Sequence, residues 1–480
     1  MDMRNLSHRI INFIGSATFL IIITSILLIF GLAMSYSASF VSNGESEIIK
    51  QLIFTVIGIA GLVAIVVIGR LGYANERFWF IFTWILLAVF FLLMVAVRIP
   101  GLGVAENGAY RWLVIGGFNF QPSEFFKIAV LLTSVVLVLQ WRKNSGMAAF
   151  ALFAVMVLTI VTTYVLQNDM GSTMIIFVGI LTVLVLGNLP IGKGGKFIIP
   201  IILGVAVLFL IGSYFVHSFR MERWDSFMAS IPNITSGDGS VSYQAQNGYF
   251  ALAGNGQGSG LDLGLSMQKY GYLSASDNDY IFAIIGEEMG IFGTLLVVGL
   301  FLLFSLSGLL IALRAGTIRG RMIAGGATVF ITFQALINLA SVTGAGPLTG
   351  KPLPFFSTGG SSMISTLMLV GLIVMVALFD HAADPVTARR DRFRLVNGSA
   401  DSNSGAPGEQ PGYYSPRQQG RQQGYTYSVG AAQRPSISQS QSQSSYSSGS
   451  RNNRSSQLGR QQSYQSYRGA QSNTMRKRVI

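Results

Sequence analysis

Long apolar runs alternate with short polar breaks from near the N-terminus to about residue 400, where the apolar runs stop. About ten runs approach the ~20 residues that a bilayer-crossing helix needs. They lie at roughly 16–39, 51–69, 78–97, 122–141, 147–166, 170–188, 197–216, 280–313, 322–343 and 361–379. The fifth and sixth are separated only by Gln167-Asn168-Asp169, which predicts a tight turn. The eighth is long, and Gly286-Glu287-Glu288-Met289-Gly290 interrupts its first half. The first follows a short polar segment without a convincing cleavage site, so it reads as a retained span. The predicted fold class is all-α: a polytopic membrane protein with about ten transmembrane helices, one large extracytoplasmic loop and a disordered C-terminal tail.

Composition supports that reading. Hydrophobic residues make up 51% and charged residues 11% of the chain, against about 25% charged in a soluble domain. The absence of cysteine excludes disulfides, thiolate catalysis and cysteine metal sites. The formal charge of +13 invites a nucleic-acid reading, but ten Lys/Arg lie beyond residue 400 against only Asp401 and Glu409. Most of the excess is thus a basic tail rich in Ser, Gln and Gly, which buries too little apolar surface to fold; no nucleic-acid surface is expected. The expected division is 1–14 as a cytoplasmic N-terminus, 15–385 as the membrane domain and 386–480 as a cytoplasmic tail, disordered from about 400.

Charge placement orients the bundle. With ten spans, fifteen Lys/Arg fall in segments on the side of the N-terminus and seven on the other, leaving Lys127 aside. Both termini are therefore expected in the cytoplasm. The polar loops 98–121, 217–279 and 344–360 then lie outside, and loops this long are usually functional or disordered.

Ionisable residues within or beside spans are expensive and mark candidate sites. Glu124 and Lys127, three apart on the helix opening at Pro122, share one face; they either orient that helix as a salt bridge or line a water-filled cavity. Asp169 suits a helix cap as well as a site. Arg111-Trp112 fits interfacial anchoring or phosphate binding. Asp277-Asn278-Asp279 precedes the eighth span, where an acid either caps the helix or acts as a general base. At most one of Glu287 and Glu288 points to lipid. Thr358-Gly359-Gly360-Ser361-Ser362 either cradles an anion or packs closely.

Taken in order, these segments resemble one family. They are Gly108-Ala109-Tyr110-Arg111-Trp112, Gln121-Pro122-Ser123-Glu124-Phe125-Phe126-Lys127, Gln167-Asn168-Asp169-Met170-Gly171, Tyr243-Gln244, Gly264 to Lys269, Asp279-Tyr280-Ile281-Phe282-Ala283, Gly286 to Gly290 and Pro352 to Ser362. The chain is similar to the SEDS proteins of shape, elongation, division and sporulation. The resemblance implies a ten-helix glycosyltransferase that polymerises lipid II into β-1,4 glycan strands at the outer membrane face, beside a class B penicillin-binding protein. It puts the family's essential Asp on Asp279 and the Glu and Lys of its Pro-Ser-Glu motif on Glu124 and Lys127. Asp277 stands where the family commonly has His, and is a rival base. Arg111, Lys127 and Lys269 are the expected partners of a leaving pyrophosphate; Glu124, Asp169 and Glu288 complete the expected substrate site. A divalent cation (Mg or Mn) would suit that leaving group, but no motif demonstrates one. The cytoplasmic tail favours the division-type branch, with divisome proteins as partners at the septum. The alternatives are the elongation-type polymerase, a lipid II flippase and a non-catalytic scaffold.

Overall fold

The computed structural model describes residues 14–188 and 243–380, apart from short breaks at 41–44, 73–74, 107–108, 116–117, 144–145, 254–257, 259, 274–275 and 348. The seventh expected span, the first part of the large loop and the tail lie outside the described residues. Within them are α1 (Ala17–Ser39), α2 (Glu45–Gly72), α3 (Glu76–Ala96), α4 (Pro122–Arg142), α5 (Gly146–Ile160), α6 (Met170–Leu186), α7 (Tyr243–Ala253), α8 (Ile281–Arg314), α9 (Ile318–Val342) and α10 (Gly360–Phe379). Eight candidate spans among them are long and apolar enough to cross a membrane. The protein is a polytopic all-α membrane protein.

Local chemistry sets the helix ends. Ser16, Asn75 and Thr317 accept backbone N–H bonds at the starts of α1, α3 and α9, satisfying donors that a first turn leaves orphaned. Pro122 opens α4, where its missing N–H is no loss. A π-helical turn, Val161–Leu166, ends α5 before the tight turn at 167–169, and Asn168 there has φ 53°. The helix α2 starts at Glu45, earlier than its apolar run, and Gln51 is drawn into the protein. Ser35 Oγ donates to Gln51 Oε1 at 2.5 Å, and Gln51 Nε2 donates to the Ser357 carbonyl at 3.4 Å.

The spans divide by polarity. The helix α4, with Ser123, Glu124, Lys127, Thr133 and Ser134, is buried along most of its length. The more apolar α2 exposes Val56, Ile57 and Val63. A bilayer solvates the second kind of surface and not the first. Glycines let α2 and α10 approach closely: a Cβ on Gly58 would lie 2.6 Å from Leu367, and one on Gly371 3.0 Å from the Leu62 backbone.

Two features depart from simple spans. The interruption in the eighth run is a kink at Gly290, whose φ of 65° and ψ of −155° suit only glycine. The Glu287 and Glu288 carbonyls accept instead from the Leu261 and Asp262 amides at 2.9 and 3.0 Å. The loop 98–121, read from sequence as a polar outer loop, holds an antiparallel sheet of β1 (Gly103–Glu106), β2 (Ala109–Ile115) and β3 (Phe118–Phe120) in that order. Leu113 pairs with Gly103 and Phe120, while Trp112 pairs with Val104. A bulge at Arg111 breaks the alternation, since Trp112 pairs with Val104 but Tyr110 with Ala105; Leu113 is buried, Tyr110 and Val114 are exposed, and Arg111 is half-buried.

Candidate functional site

Loops and helix ends converge at one end of the bundle. The turn at 167–169, the sheet, the start of α8 and the segment 344–360 meet there. The opposite end gathers Arg142 on the Gly187 carbonyl, Lys143 on Glu76 and Thr317 on Asp380.

The turn supplies the first acid. Asp169 caps α6 by accepting from the Ser172 amide at 3.0 Å, so its expected capping role holds. It also forms an ion pair: Lys351 Nζ donates to Asp169 Oδ2 at 2.7 Å, with side chains 3% and 1% exposed. Lys351 donates to Ser172 Oγ as well. Burial disfavours the ionised carboxyl, but Lys351, then Arg111, outweigh it and hold Asp169 well below the usual carboxylate range. The Lys351 pairing spans 182 residues, and nothing local in the sequence announces it.

The i, i+3 spacing on α4 yields the expected salt bridge. Lys127 Nζ donates to Glu124 Oε2 at 2.5 Å and to Gln334 Oε1 on α9 at 2.9 Å. Ser365 Oγ of α10 donates to the same Glu124 oxygen at 3.1 Å. The pair thus joins α4, α9 and α10, with both residues buried.

The glutamates of α8 are both buried and both engaged, so neither points to lipid. Glu287 accepts from Ser266 Oγ and from the Met267 amide at 2.9 Å. Glu288 pairs with Lys269 at 3.1 Å and accepts from Ser37 Oγ of α1 at 2.7 and 2.8 Å. Lys269 also donates to the Gly264 carbonyl at 2.6 Å. These bonds clamp the loop 261–269 onto the start of α8. Arg111 turns inward and donates to the carbonyls of Gln167 and Asn168 at 3.3 and 2.6 Å. Gly360, which opens α10, serves packing: a Cβ there would strike the Phe54 ring at 2.5 Å.

The two candidate bases separate. Asp277 accepts from Thr358 Oγ1 at 3.4 Å. Burial, with Glu47 nearby, pushes its carboxyl above the usual range. Asp279 is half-buried in the turn that opens α8, and its Oδ2 lies 3.3 Å from where a Cβ on Gly350 would sit. Its carbonyl accepts from Asn338 Nδ2 at 2.8 Å. Gly350, at φ 63°, precedes Lys351, so Asp279 meets the same loop whose Lys351 pairs with Asp169. An apolar hollow of about 340 Å³ beside the kink includes Leu252, Phe282, Ile291 and Leu295 in its wall. Asp279 is not in that wall, but Phe282 follows it by three residues.

The structure therefore gathers Arg111, Glu124, Lys127, Asp169 and Lys351 into one network around α4 and α6. Lys269 and Glu288 form a second around α8, with Asp279 at the opening of that helix. Sequence reasoning missed Lys351, Ser37, Gln334 and Asn338. Gln334 and Asn338 carried a usable signal: two amides four residues apart within an apolar run.

A family model described as FTSW_RODA_SPOVE, cell cycle protein, matches residues 17–382. The chain is 32% identical over 331 residues to the "probable peptidoglycan glycosyltransferase FtsW" of Taylorella equigenitalis, covering 68% of this chain and 86% of that one. It is 33% identical over 373 residues to stage V sporulation protein E of Bacillus subtilis, covering 75% and 97%. Its fold matches that of the rod shape determining protein RodA of Thermus thermophilus with a TM-score of 0.53 at 22% identity, over 78% of this chain and 100% of that one. A chain from a structure described as "structural coordination of polymerization and crosslinking by a peptidoglycan synthase complex" matches with a TM-score of 0.58 at 21% identity, over 76% and 98%.

Proposed function

The chain belongs to the FtsW/RodA/SpoVE family, and from that premise we propose that it is a peptidoglycan glycosyltransferase of the division type, polymerising lipid II. The reading is supported by curated relatives that carry this activity in their names. The end of the bundle that holds the ion pairs faces outward, as the Lys/Arg asymmetry favours. A class B penicillin-binding protein is the partner that crosslinks the product. A relative in fold comes from a peptidoglycan synthase complex, which supports that pairing.

Asp279 is the general base. Its carboxylate takes the proton of the acceptor's sugar 4-hydroxyl as that oxygen attacks the anomeric carbon of the growing chain. The β-1,4 bond forms, and the bond to undecaprenyl pyrophosphate breaks with its electron pair. Base assistance of this kind contributes ~10²–10⁴-fold. The observation that carries the assignment is the place of Asp279: half-buried at the opening of α8, against Gly350. Asp277 by contrast binds Thr358. Lys127 and Lys269 are each ion-paired with a carboxylate, whereas the hydrogen bonds of Arg111 go to neutral carbonyls and Asp169, the acid that feels its charge, is already paired with Lys351. Arg111 is thus the first cation to meet the leaving pyrophosphate. The apolar hollow beside Phe282 suits an isoprenoid chain. Among the described residues no three acids or histidines gather as a metal cage, so Mg or Mn would take most of its ligands from pyrophosphate oxygens and water.

Asp279→Asn should abolish glycan formation from labelled lipid II in detergent while the protein still inserts and binds its partner. An active Asp279→Asn with a dead Asp277→Asn would move the base two residues upstream. Lipid II crossing between the leaflets of liposomes, with no glycan formed by the wild type, would favour a flippase instead.

A further inference from the structure

The side chains of Gln334, Asn338 and Ser341 recur at helical spacing on one face of α9, and all three grip the main chain of 347–352. Ser341 Oγ donates to the Pro347 carbonyl at 2.9 Å, Asn338 Nδ2 to the Lys351 carbonyl at 2.7 Å and Gln334 Nε2 to the Pro352 carbonyl at 3.1 Å. Asn338 also donates, through the same nitrogen, to the Asp279 carbonyl at 2.8 Å. One amide nitrogen therefore ties the backbone that bears Asp279 to the backbone that bears Lys351. Lys351 is in turn anchored on Asp169.

Asn338 is 1% exposed, and its Oδ1 is buried with no hydrogen-bond partner among the described residues. Exchanging its oxygen and nitrogen would aim an acceptor at two carbonyls, so the two neighbours dictate its orientation. A residue kept only to fill this space would be apolar, since burying an unpaired acceptor is unfavourable. A charged Asp cannot donate, and Gln is one methylene longer.

We propose that Asn338 is a positioning residue for glycan polymerisation, fixing the Asp279 carboxylate relative to Lys351 by clamping both backbones through one amide nitrogen. The proposal rests on Asp279 as the base and adds what holds it in register. Asp279 and Lys351 are the charged residues whose backbones the amide binds; Asp169 lies one partner further out through Lys351, and Lys127 with Glu124 is held by Gln334, one turn away on the same face of α9.

Two variants test it in the full-length protein with its partner, using lipid II. Asn338→Leu removes the donor without adding charge. Asn338→Asp keeps the shape but turns an acceptor toward both carbonyls until it is protonated. Both should lower kcat by ~10–100-fold with KM within about 2-fold, as a misplaced reacting group does. Between about pH 8 and pH 6, the ratio of Asn338→Asp to wild-type activity should rise as the buried carboxyl gains a proton and donates again, while Asn338→Leu shows no such recovery. Wild-type kcat in both variants, or a loss confined to folded yield or KM, overturns the proposal. Asp279→Asn measured alongside separates the layers. If it is inactive while both Asn338 variants keep wild-type kcat, only the clamp fails. If it is active, the base assignment fails first.

Discussion

At one end of the bundle Lys143 and Glu76 meet at 2.7 Å with 66% and 64% of their side chains exposed. At the other Lys351 and Asp169 meet at the same distance with 3% and 1% exposed. The geometry is alike and the energetics are not. An exposed pair exchanges water for a partner at almost no net gain, typically 0–1 kcal/mol. A buried pair has forfeited the hydration of both ions, and well-packed apolar side chains would often be as stable. Charges kept under the second condition at three places, Lys127–Glu124, Lys269–Glu288 and Lys351–Asp169, are better explained by chemistry than by stability. That is why the end with the buried pairs is the one proposed for catalysis.

The contrast breaks most sharply at Lys351. Lys351→Met strands the Asp169 carboxylate in a buried site, and thermal unfolding in detergent should show a loss of about 3–5 kcal/mol. Adding Asp169→Asn should return much of that stability but not the activity, which a purely structural pair would not predict. Next in size is Gly350→Ala. Its φ of 63° costs a β-carbon about 1–2 kcal/mol, and the new methyl presses on Asp279 Oδ2. Polymerisation should fall further than stability does. A smaller effect attaches to Asp277, whose carboxyl is raised in the folded protein by burial and by Glu47. A raised carboxyl contributes stability fully below its unfolded value, about 3.9, and loses it as pH climbs through the folded value. Asp277→Asn should therefore stabilise at neutral pH, by about 0.5 kcal/mol. The advantage should shrink on acidification in melts at a series of pH values. The smallest change belongs to Lys143→Ala, within about 1 kcal/mol of wild type and with unchanged turnover.

What was legible in the chain was what is local. The i, i+3 spacing of Glu124 and Lys127 on a helix opened by Pro122 announces their pairing, and the two glycines around Glu287-Glu288 announce the break at Gly290. The cap at Asp169 follows from an acid placed before an apolar run. The partner of that same Asp did not show, because Lys351 sits in a Gly/Pro-rich loop that reads simply as an outer segment. Of the strands in 103–120, β1 and β3 have only four and three residues, too few to show a period of two. Bonds such as Ser37 to Glu288 join residues 251 positions apart, and a helical period says nothing about which faces will meet.

The sheet has a consequence for where the protein rides. It exposes Val104, Tyr110 and Val114 by 45%, 39% and 47%, with Trp112 paired to Val104, and Arg98 stacks on the Tyr110 ring at 5.5 Å. Such a ribbon is at home neither in bulk water nor among acyl tails, only in the headgroup layer. It is joined to α4 through β3 and Gln121, and to the turn at 167–169 through Arg111. A waterline at these few aromatic and β-branched residues would also set the height at which sugars on an isoprenoid stalk meet the protein.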